Sequence, residues 1–169
     1  MIDFANKYKD QLSTLYKENV LGNDFYKYWN NCNYWKTEFP YASQEDEWNY
    51  IERVSVFDNK VYGYFKCSTD RNNNSIKSLN ILYLRPKTFS IGFLRDLEKL
   101  IEILFMSYKF NKINFSVIVG NPAERLYDKF IEKYRGSVVG IYKEDVVLID
   151  GNIYDTKLYE ILKKDYTNT

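Results

Sequence analysis

The sequence contains no histidine among its 169 residues. This absence excludes Ser-His-Asp and Cys-His catalysis, histidine general bases and histidine-ligated metals. Any chemistry must therefore use carboxylates, tyrosines, hydroxyls, lysines or the backbone. Tyrosine is abundant, at 17 residues. Most of these side chains are expected to pack at half-buried positions with their hydroxyls in water.

The sequence also has few cysteines, a net charge close to zero and no long apolar run. Cys32 and Cys67 are isolated and have no metal-ligand spacing, which predicts a reducing compartment, no disulfide and no metal. Lysine plus arginine number 24 and aspartate plus glutamate 23, a balance that gives no electrostatic basis for a nucleic-acid or membrane partner. No stretch approaches the ~20 apolar residues of a membrane span, and residues 1–7 do not resemble a signal peptide. We therefore expect a cytoplasmic protein that binds neither nucleic acid nor membrane.

The first third of the chain has the pattern of helices. Apolar residues from Phe4 to Tyr16 recur at helical spacing, and Asp3 is placed to cap this helix. Gly22-Asn23 ends it, and a second short helix follows. No clear strand pattern is visible in residues 1–50, which we expect to be helical.

From residue 50 onward the pattern changes to strands and helices. Strands over 54–57 and 61–65 are predicted to form a hairpin. The later elements are, in order, a strand over 76–84, a helix over 92–108, a strand over 111–119, a helix starting at Pro122, and strands over 137–148 and 153–161. Asp150-Gly151, between the last two strands, is a typical hairpin dipeptide. This order predicts one α+β or α/β domain, residues 1–169, with a mixed sheet.

Two stretches in the second half carry recognisable motifs. Residues 120–129, Gly-Asn-Pro-Ala-Glu-Arg-Leu-Tyr-Asp-Lys, match the Ala, Leu, Tyr and Lys of the pattern Asn-x-x-Ala-x-x-Leu-Tyr-x-Lys, which is frequent in the GNAT superfamily of acyl-CoA N-acyltransferases. Residues 150–162 resemble the closing strands of its ribosomal-protein acetyltransferase branch, Asp-Gly-x-x-x-Asp-x-x-x-Tyr-x-x-Leu. The resemblance covers roughly residues 50–165. It implies the α+β GNAT fold, a mixed central sheet with splayed strands flanked by helices.

This resemblance fixes a geometry that a structure can test. Strands 76–84 and 111–119 should be parallel neighbours that splay apart near their C-terminal ends. The helix over 92–108 should connect them as a right-handed crossover. Residues 51–165 would then form the sheet and the CoA-side core, and residues 1–50 a helical segment on the acceptor side.

The resemblance also implies a site for acetyl-CoA as the acetyl donor. In the family, the loop Gln/Arg-x-x-Gly-x-Gly/Ala holds the CoA pyrophosphate with backbone N–H groups. In the best register Gly92 matches, whereas Phe89 replaces the polar first residue and Leu94 the small last one, so the loop is degenerate. Arg95 could add charge. The residues implied to bind acetyl-CoA are Leu84, Arg85, Lys87, Phe89, Ser90, Ile91, Gly92, Phe93, Leu94, Asn121, Ala123 and Lys129.

The implied reaction is direct attack of an amine on the acetyl thioester, so two proton transfers remain for the protein. Tyr127 matches the family tyrosine that protonates the departing thiolate; the alternative is a residue at the edge of the core. Glu52 is the candidate base; the alternative is a solvated strand residue paired with a lysine or arginine across the hairpin. Backbone carbonyls and a water chain could also remove the proton.

The acceptor and the assembly are less defined by the sequence. Tyr28, Trp29, Tyr34 and Trp35 fall where GNAT proteins place acceptor-binding helices, although such an aromatic stripe can equally be core. The hypothesis is an N-acetyltransferase acting on a protein N-terminus, a lysine or a small amine such as an amino-sugar or polyamine, as a monomer or homodimer. The alternative is a catalytically inactive GNAT-fold binding or regulatory protein, encoded by a phage or mobile element.

Overall fold

A computed structural model describes residues 1–18, 28, 39, 47–84, 91–148 and 150–166 of the chain. Its elements are, in order, β1 (Ile2–Phe4), a 3-10 helix (Ala5–Tyr8), α1 (Lys9–Tyr16), β2 (Tyr50–Phe57), β3 (Lys60–Asp70), β4 (Ser75–Tyr83), α2 (Ile91–Met106), β5 (Lys112–Ile118), α3 (Glu124–Lys133), β6 (Ser137–Val147), β7 (Ile153–Leu162) and α4 (Lys163–Tyr166). Within these residues, no helix combines the length and apolar character needed to cross a membrane.

The seven strands form one mixed sheet in the order β1-β2-β3-β4-β5-β7-β6. β4 and β5 are parallel, and each other neighbouring pair is antiparallel. The β4–β5 pairing ends at Leu79 and Phe115, although both strands continue beyond these residues. We call the space between residues 80–83 of β4 and residues 116–118 of β5 the gap. The prediction of parallel, splayed neighbours joined by a helix is therefore confirmed.

Two clusters of buried side chains lie on opposite faces of the sheet. Helices α2 and α3 cover one face, called the α2/α3 face, where Leu100 and Ile131 join Phe115 in a continuous core. Helix α1 covers the other face, called the α1 face, where Leu12 packs with Val54. Because strand side chains alternate between faces, the central strands contribute to both sides.

Most predicted elements from residue 75 onward lie within two residues of their observed bounds. The hairpin is longer than predicted, because β2 and β3 together span residues 50–70, with Asp58 and Asn59 at positive φ in the turn. Helix α3 begins at Glu124 rather than Pro122. There the side chain of Asn121 accepts a hydrogen bond from the N–H of Ala123 at 2.9 Å, which holds a turn before the helix.

The structure differs from the sequence prediction at the N-terminus. Ile2–Phe4 form β1, antiparallel to β2, where a helix from Phe4 was expected. Asp3 lies in this strand and does not cap a helix; its carboxylate accepts hydrogen bonds from the N–H of Phe4 and from Lys7. A strand of three residues is too short to show the alternation that identifies strands in a sequence. The predicted second helix after Gly22 lies outside the described residues.

Candidate active site

The gap borders one edge of β4. Residues 80–83 pair with β3 on one side, for example Leu82 with Tyr64. On the other side their pairing with β5 has already ended at Leu79. A strand edge that faces such a gap can hydrogen-bond to an extended ligand through its N–H and C=O groups. Crevices at the carboxyl ends of parallel strands are common ligand sites in α/β sheets.

The first turn of α2 lies at one end of the gap, on the α2/α3 face. Phe93 is 7% exposed, and its ring contacts Tyr83, the last residue of β4, with ring centroids 4.8 Å apart. Ile91 and Gly92 are exposed, and the first turn contains no acidic residue. The unpaired N–H groups of a helix N-terminus attract anions, so this turn can bind a phosphate group.

Apart from Ile91 and Gly92, the predicted acetyl-CoA residues divide into three groups in the structure. Arg85, Lys87, Phe89 and Ser90 lie outside the described residues. The side chains of Leu84 and Phe93 are buried in the two cores, and Leu94 packs partly against one of them. These three could contact a cofactor only through backbone atoms or exposed edges.

Asn121, Ala123 and Lys129 lie around α3, on the β5 side of the gap. Asn121 and Ala123 form the turn that precedes the helix, and Ala123 packs partly against the core. Lys129 is exposed on the helix. Helix α3 is anchored to β7, because Asp128 accepts hydrogen bonds from Lys157 at 2.6 Å and from the Tyr159 hydroxyl at 2.8 Å. The bond from Lys157 is the main cause of a lowered pKa at Asp128.

Tyr127 lies beside the origin of the gap. Its ring meets Phe115, the last residue of β5 that pairs with β4, edge-on at 5.6 Å between centroids. A second edge contact, at 6.4 Å, joins it to Tyr159. Tyr127 is 8% exposed and belongs to the core on the α2/α3 face. The predicted general acid is therefore close to the gap, and it also packs as a core residue.

Glu52 lies on the α1 face, level with the opening of the gap. Glu52 pairs with Lys66 of β3, and Lys66 pairs on its other side with Asn80, the first β4 residue of the gap. At strand spacing, the backbones of Glu52 and Asn80 are about 10 Å apart. The Glu52 carboxylate accepts a hydrogen bond from the Tyr64 hydroxyl and lies 3.8 Å from the Lys66 ammonium. The expected cross-hairpin lysine is thus present, together with a buried tyrosine that the sequence did not reveal.

One residue of the predicted aromatic acceptor stripe, Tyr28, lies among those described. Its ring contacts Tyr154 of β7 edge-on at 6.3 Å. Its hydroxyl is 3.6 Å from the position that a Cβ on Gly120 would take, so it lies just beyond the C-terminal end of β5. Trp29, Tyr34 and Trp35 lie outside the described residues. Phe39, from the same part of the chain, contacts Tyr64 on the other side of the gap at 4.7 Å.

Cys67, the cysteine within the described residues, is not suited to act as a nucleophile. It is fully buried in the core, and burial raises the pKa of its thiol to about 12. A thiol of this kind is inert because the thiolate is the reactive form. Cys67 is therefore a structural residue of the core.

No protein-family model matches the sequence, and no curated protein sequence matches it. Solved structures of acetyltransferases do match the fold. A spermidine/spermine N-acetyltransferase, SpeG from Vibrio cholerae, superposes with a TM-score of 0.61 and 23% identity over 73% of this chain and 71% of that one. The crystal structure of an inferred acetyltransferase gives a TM-score of 0.59 and 17% identity, over 73% of this chain and 62% of that one.

An inferred acetyltransferase from T. thermophilus gives a TM-score of 0.57 and 17% identity, over 72% of this chain and 63% of that one. The chain thus spans just under two thirds of the length of these last two proteins. At such identities the similarity is one of architecture. With its mixed seven-stranded sheet, splayed parallel strands and flanking helices, the chain has the α+β fold of the GNAT acetyltransferases.

Proposed function

We propose that this chain is an N-acetyltransferase that moves the acetyl group of acetyl-CoA directly to an amine. The observation that carries the proposal is the gap between β4 and β5, because it joins two different chemical environments. The first turn of α2 and Tyr127 lie on the α2/α3 face, whereas Glu52 lies on the α1 face. A donor could enter from the first side and an acceptor from the second, and the two would meet in the gap.

On the donor side, the pyrophosphate of acetyl-CoA would lie against the N–H groups at residues 91–94. The degenerate loop does not remove these backbone donors, and Gly92 is exposed there. Arg85, Lys87 and Arg95 would add positive charge. The extended pantetheine arm, which carries amides, would pair with the edge of β4 that faces the gap and bring the thioester into the gap. Asn121, Ala123 and Lys129 would contact the donor from the α3 side.

In the reaction, the amine nitrogen attacks the thioester carbonyl carbon. The C–N bond forms, the C–S bond breaks, and the electron pair leaves with sulfur. Before this attack, Glu52 would take one proton from the bound ammonium through water, since the carboxylate lies two strands from the gap. The second proton, lost from nitrogen as the amide forms, would restore the Tyr127 hydroxyl after it has protonated the thiolate. Tyr127 would protonate the thiolate, because a phenol with a pKa near 10 can share its proton with a thiolate whose pKa is near 8.5.

The acceptor would bind on the α1 face, near Tyr28. Contacts of Trp29, Tyr34 and Trp35 with the acceptor stay a prediction from the sequence. Peptide N-termini are the first acceptors to test, because residues 150–162 resemble the ribosomal-protein acetyltransferase branch. Polyamines are the second, because spermidine is the acceptor named for the similar Vibrio cholerae enzyme. A cytoplasmic location would supply acetyl-CoA for either acceptor.

Acetyl-CoA binding and acetyl transfer test the proposal together. Titration calorimetry should give a one-to-one complex, and mass spectrometry should find an added acetyl group on a peptide or polyamine panel. Acetyl-CoA should also raise the melting temperature in a concentration-dependent way. Gly92→Trp should abolish the shift, whereas Gly140→Ala, whose Cβ would meet nothing within 4 Å, should keep it. A folded protein that binds no acetyl-CoA at ~1 mM would overturn the proposal and indicate the inactive binding protein instead.

A further inference from the structure

A polar cleft lies on the α1 face of the sheet, beside the gap. Its volume is about 790 Å³. The cleft is lined by residues of three neighbouring strands and by the residue before β2, namely Asn49, Tyr50, Ser68, Thr69, Lys77 and Ser78. Among the described residues, this lining includes no carboxylate and no leucine, isoleucine or valine. We call this feature the β4 cleft.

The β4 cleft adjoins the gap along β4. Ser78 pairs with Ser68, and Ser68 pairs with Tyr50, so these three residues form one row across the sheet. The row faces the α1 side, because the neighbouring residue Leu79 belongs to the core on the α2/α3 face. Asn80, the first β4 residue of the gap, lies on the same face as Ser78 and about 7 Å further along the strand. An acceptor whose amine enters the gap from the α1 face would therefore leave the rest of its molecule on the β4 cleft.

The lining of the β4 cleft suits a ligand that carries hydroxyl groups. Serine hydroxyls and the Asn49 amide can each donate and accept hydrogen bonds, and so can the hydroxyls of a sugar. Within the described part of the chain, the side chains of Ser68 and Ser78 form no hydrogen bond with the protein, so both remain available to a ligand. The Tyr50 ring has a negative face, which attracts the polarised C–H groups of a sugar ring.

The charges around the β4 cleft oppose the binding of a polyamine. Lys77 contributes its positive charge to the lining, and the Lys66 ammonium lies 4.9 Å from the centre of the Tyr50 ring. Glu52, in the row next to the cleft, is 3.8 Å from that ammonium and therefore already has a cation beside it. Each further ammonium of a polyamine would meet positive charge without a carboxylate in the lining.

The carboxylate of Asp70, at the end of β3, does not change this balance. Its two oxygens accept hydrogen bonds from the N–H and the side-chain amide of Asn73, at 3.0 and 2.8 Å, in the turn between β3 and β4. These bonds are the main cause of its lowered pKa, and Lys77 contributes less. Asp70 thus stabilises the turn, and its charge is outside the lining of the cleft.

We propose that the β4 cleft binds the hydroxyl groups of a small amine acceptor, which makes this acceptor an amino sugar and not a polyamine. The proposal rests on the proposed function only for the position of the amine in the gap. It separates this chain from the similar Vibrio cholerae enzyme, whose named acceptor is spermidine. Proteins of one fold commonly differ in this way, because function depends on the site and not on the architecture.

An NMR titration of the protein without acetyl-CoA tests the cleft by itself. Glucosamine should bind at least ~10-fold more tightly than cyclohexylamine, which has a six-membered ring and one amine but no hydroxyl. Spermidine should also bind at least ~10-fold more weakly than glucosamine, because its charges meet Lys66 and Lys77. Equal or tighter binding of either comparison amine would overturn the proposal, as would the absence of saturable glucosamine binding up to ~100 mM.

Loss of the two serine hydroxyls locates the binding. Ser68→Ala combined with Ser78→Ala should raise the Kd for glucosamine about 3–30-fold and leave that for cyclohexylamine unchanged. Ser107→Ala combined with Ser137→Ala, at two exposed serines outside the cleft, is the matched control and should change neither value. Unchanged glucosamine binding in the first double variant would overturn the assignment of the cleft.

Charge reversal at Lys77 tests the rejection of polyamines. Lys77→Glu should lower the Kd for spermidine about 3–10-fold, because it places a carboxylate in the lining. Lys60→Glu, at an exposed position in the β2–β3 hairpin, should leave that Kd unchanged, and circular dichroism should show that both variants are folded. An equal gain in the two variants would mean that spermidine senses only net charge, which would contradict the proposal.

Acetyl transfer to the same three amines separates the cleft from the proposed function. Glucosamine that binds in the cleft without receiving an acetyl group would refute the proposed function and leave the cleft assignment intact. Transfer to cyclohexylamine or spermidine with the kcat/KM of glucosamine would refute the amino-sugar preference and leave the proposed function intact. We expect the kcat/KM of glucosamine to exceed both by at least ~10-fold.

Discussion

The ring of Phe93 fills the space that a side chain on Gly63 would occupy. A Cβ built on Gly63 would lie 2.0 Å from Cε2 of Phe93, far inside contact distance. The same ring stacks on Phe65 at 5.1 Å between centroids. Since Phe93 belongs to the first turn of α2, Gly63 in β3 sets how closely that turn approaches the sheet.

Gly63→Ala should therefore destabilise the protein by about 1–3 kcal/mol, the usual cost of overpacking a core. It should also weaken acetyl-CoA binding if the first turn of α2 holds the pyrophosphate. Urea unfolding and calorimetry measure the two effects. A double-mutant cycle with Phe93→Leu provides the control, because the smaller side chain should relieve part of the clash. Strictly additive effects would show that the two residues do not compete for this space.

The strands and the helix that form the gap could be predicted from the sequence, whereas the contacts between side chains around it could not. β4, α2 and β5 have strong alternation or helical periodicity, and a helix that joins two strands favours a parallel pair. Gly63 inside a strand is a general sign of a close approach, but its partner lies 30 positions away on another element. The hydrogen bond from Tyr64 to Glu52 likewise depends on the hairpin register, which shifts between Ser55 and Val56.

A second feature without a sequence signal is the buried network around Arg53. Glu47 accepts hydrogen bonds from the Arg53 guanidinium and from the Tyr108 hydroxyl, and Arg53 donates to the Tyr108 oxygen at 2.8 Å. Tyr108 is 61 positions from Glu47, and no local pattern links them. Burial alone would raise the pKa of Glu47, but the hydrogen bonds from Arg53 and Tyr108 outweigh it, and the pKa is lowered.

The Glu47 network should make stability depend on pH. Because its folded pKa is below the unfolded value of about 4.3, the Glu47 contribution is fully present above that value. It is lost as the pH falls through the folded pKa. Glu47→Gln should cost about 1–3 kcal/mol near pH 7, and the difference from wild type should shrink toward pH 3. Glu102→Gln, at an exposed ion pair with Lys99, should change stability little, and a Glu47→Gln deficit that is independent of pH would contradict the assignment.

Thr156 carries the one buried side-chain polar atom without a hydrogen-bond partner among the described residues. An unsatisfied buried hydroxyl costs about 1–3 kcal/mol. Thr156→Val keeps the shape and removes that hydroxyl, so it should raise the free energy of unfolding by roughly 1 kcal/mol. The matched control is Thr69→Val, which removes a hydroxyl that donates to the Trp48 carbonyl and should lower stability. A loss of stability in Thr156→Val would mean that its hydroxyl has a partner.

Glu52→Gln tests the proposed base on the α1 face. If the carboxylate takes a proton from the bound ammonium before the amine attacks, turnover should fall by about 10²-fold or more. Acetyl-CoA affinity should remain unchanged, because the donor would bind on the opposite face. Glu160→Gln, at a cross-strand pair with Lys112 of 3.5 Å, is the control. Full activity in Glu52→Gln would contradict the role of Glu52 as the base. Water and backbone carbonyls would then be the groups that remove the proton.

Tyr127→Phe separates an enzyme from an inactive protein of the same fold, since it preserves the ring contacts with Phe115 and Tyr159 and removes only the hydroxyl. If Tyr127 is the general acid, turnover should fall by about 10²–10⁴-fold with little change in acetyl-CoA affinity. Tyr134→Phe is the matched control: Tyr134 is also 8% exposed, at the other end of α3, and its loss should not affect turnover.

A purely structural Tyr127 predicts a different result. Loss of the hydroxyl would then cost at most about 1–3 kcal/mol of stability and leave turnover intact. A thioester with a better leaving group than CoA gives a further test, because a leaving thiolate of low pKa needs less protonation and should reduce the defect of Tyr127→Phe. A defect of the same size with both donors would place the role of Tyr127 in positioning the thioester, since packing and position do not depend on the pKa of the departing sulfur.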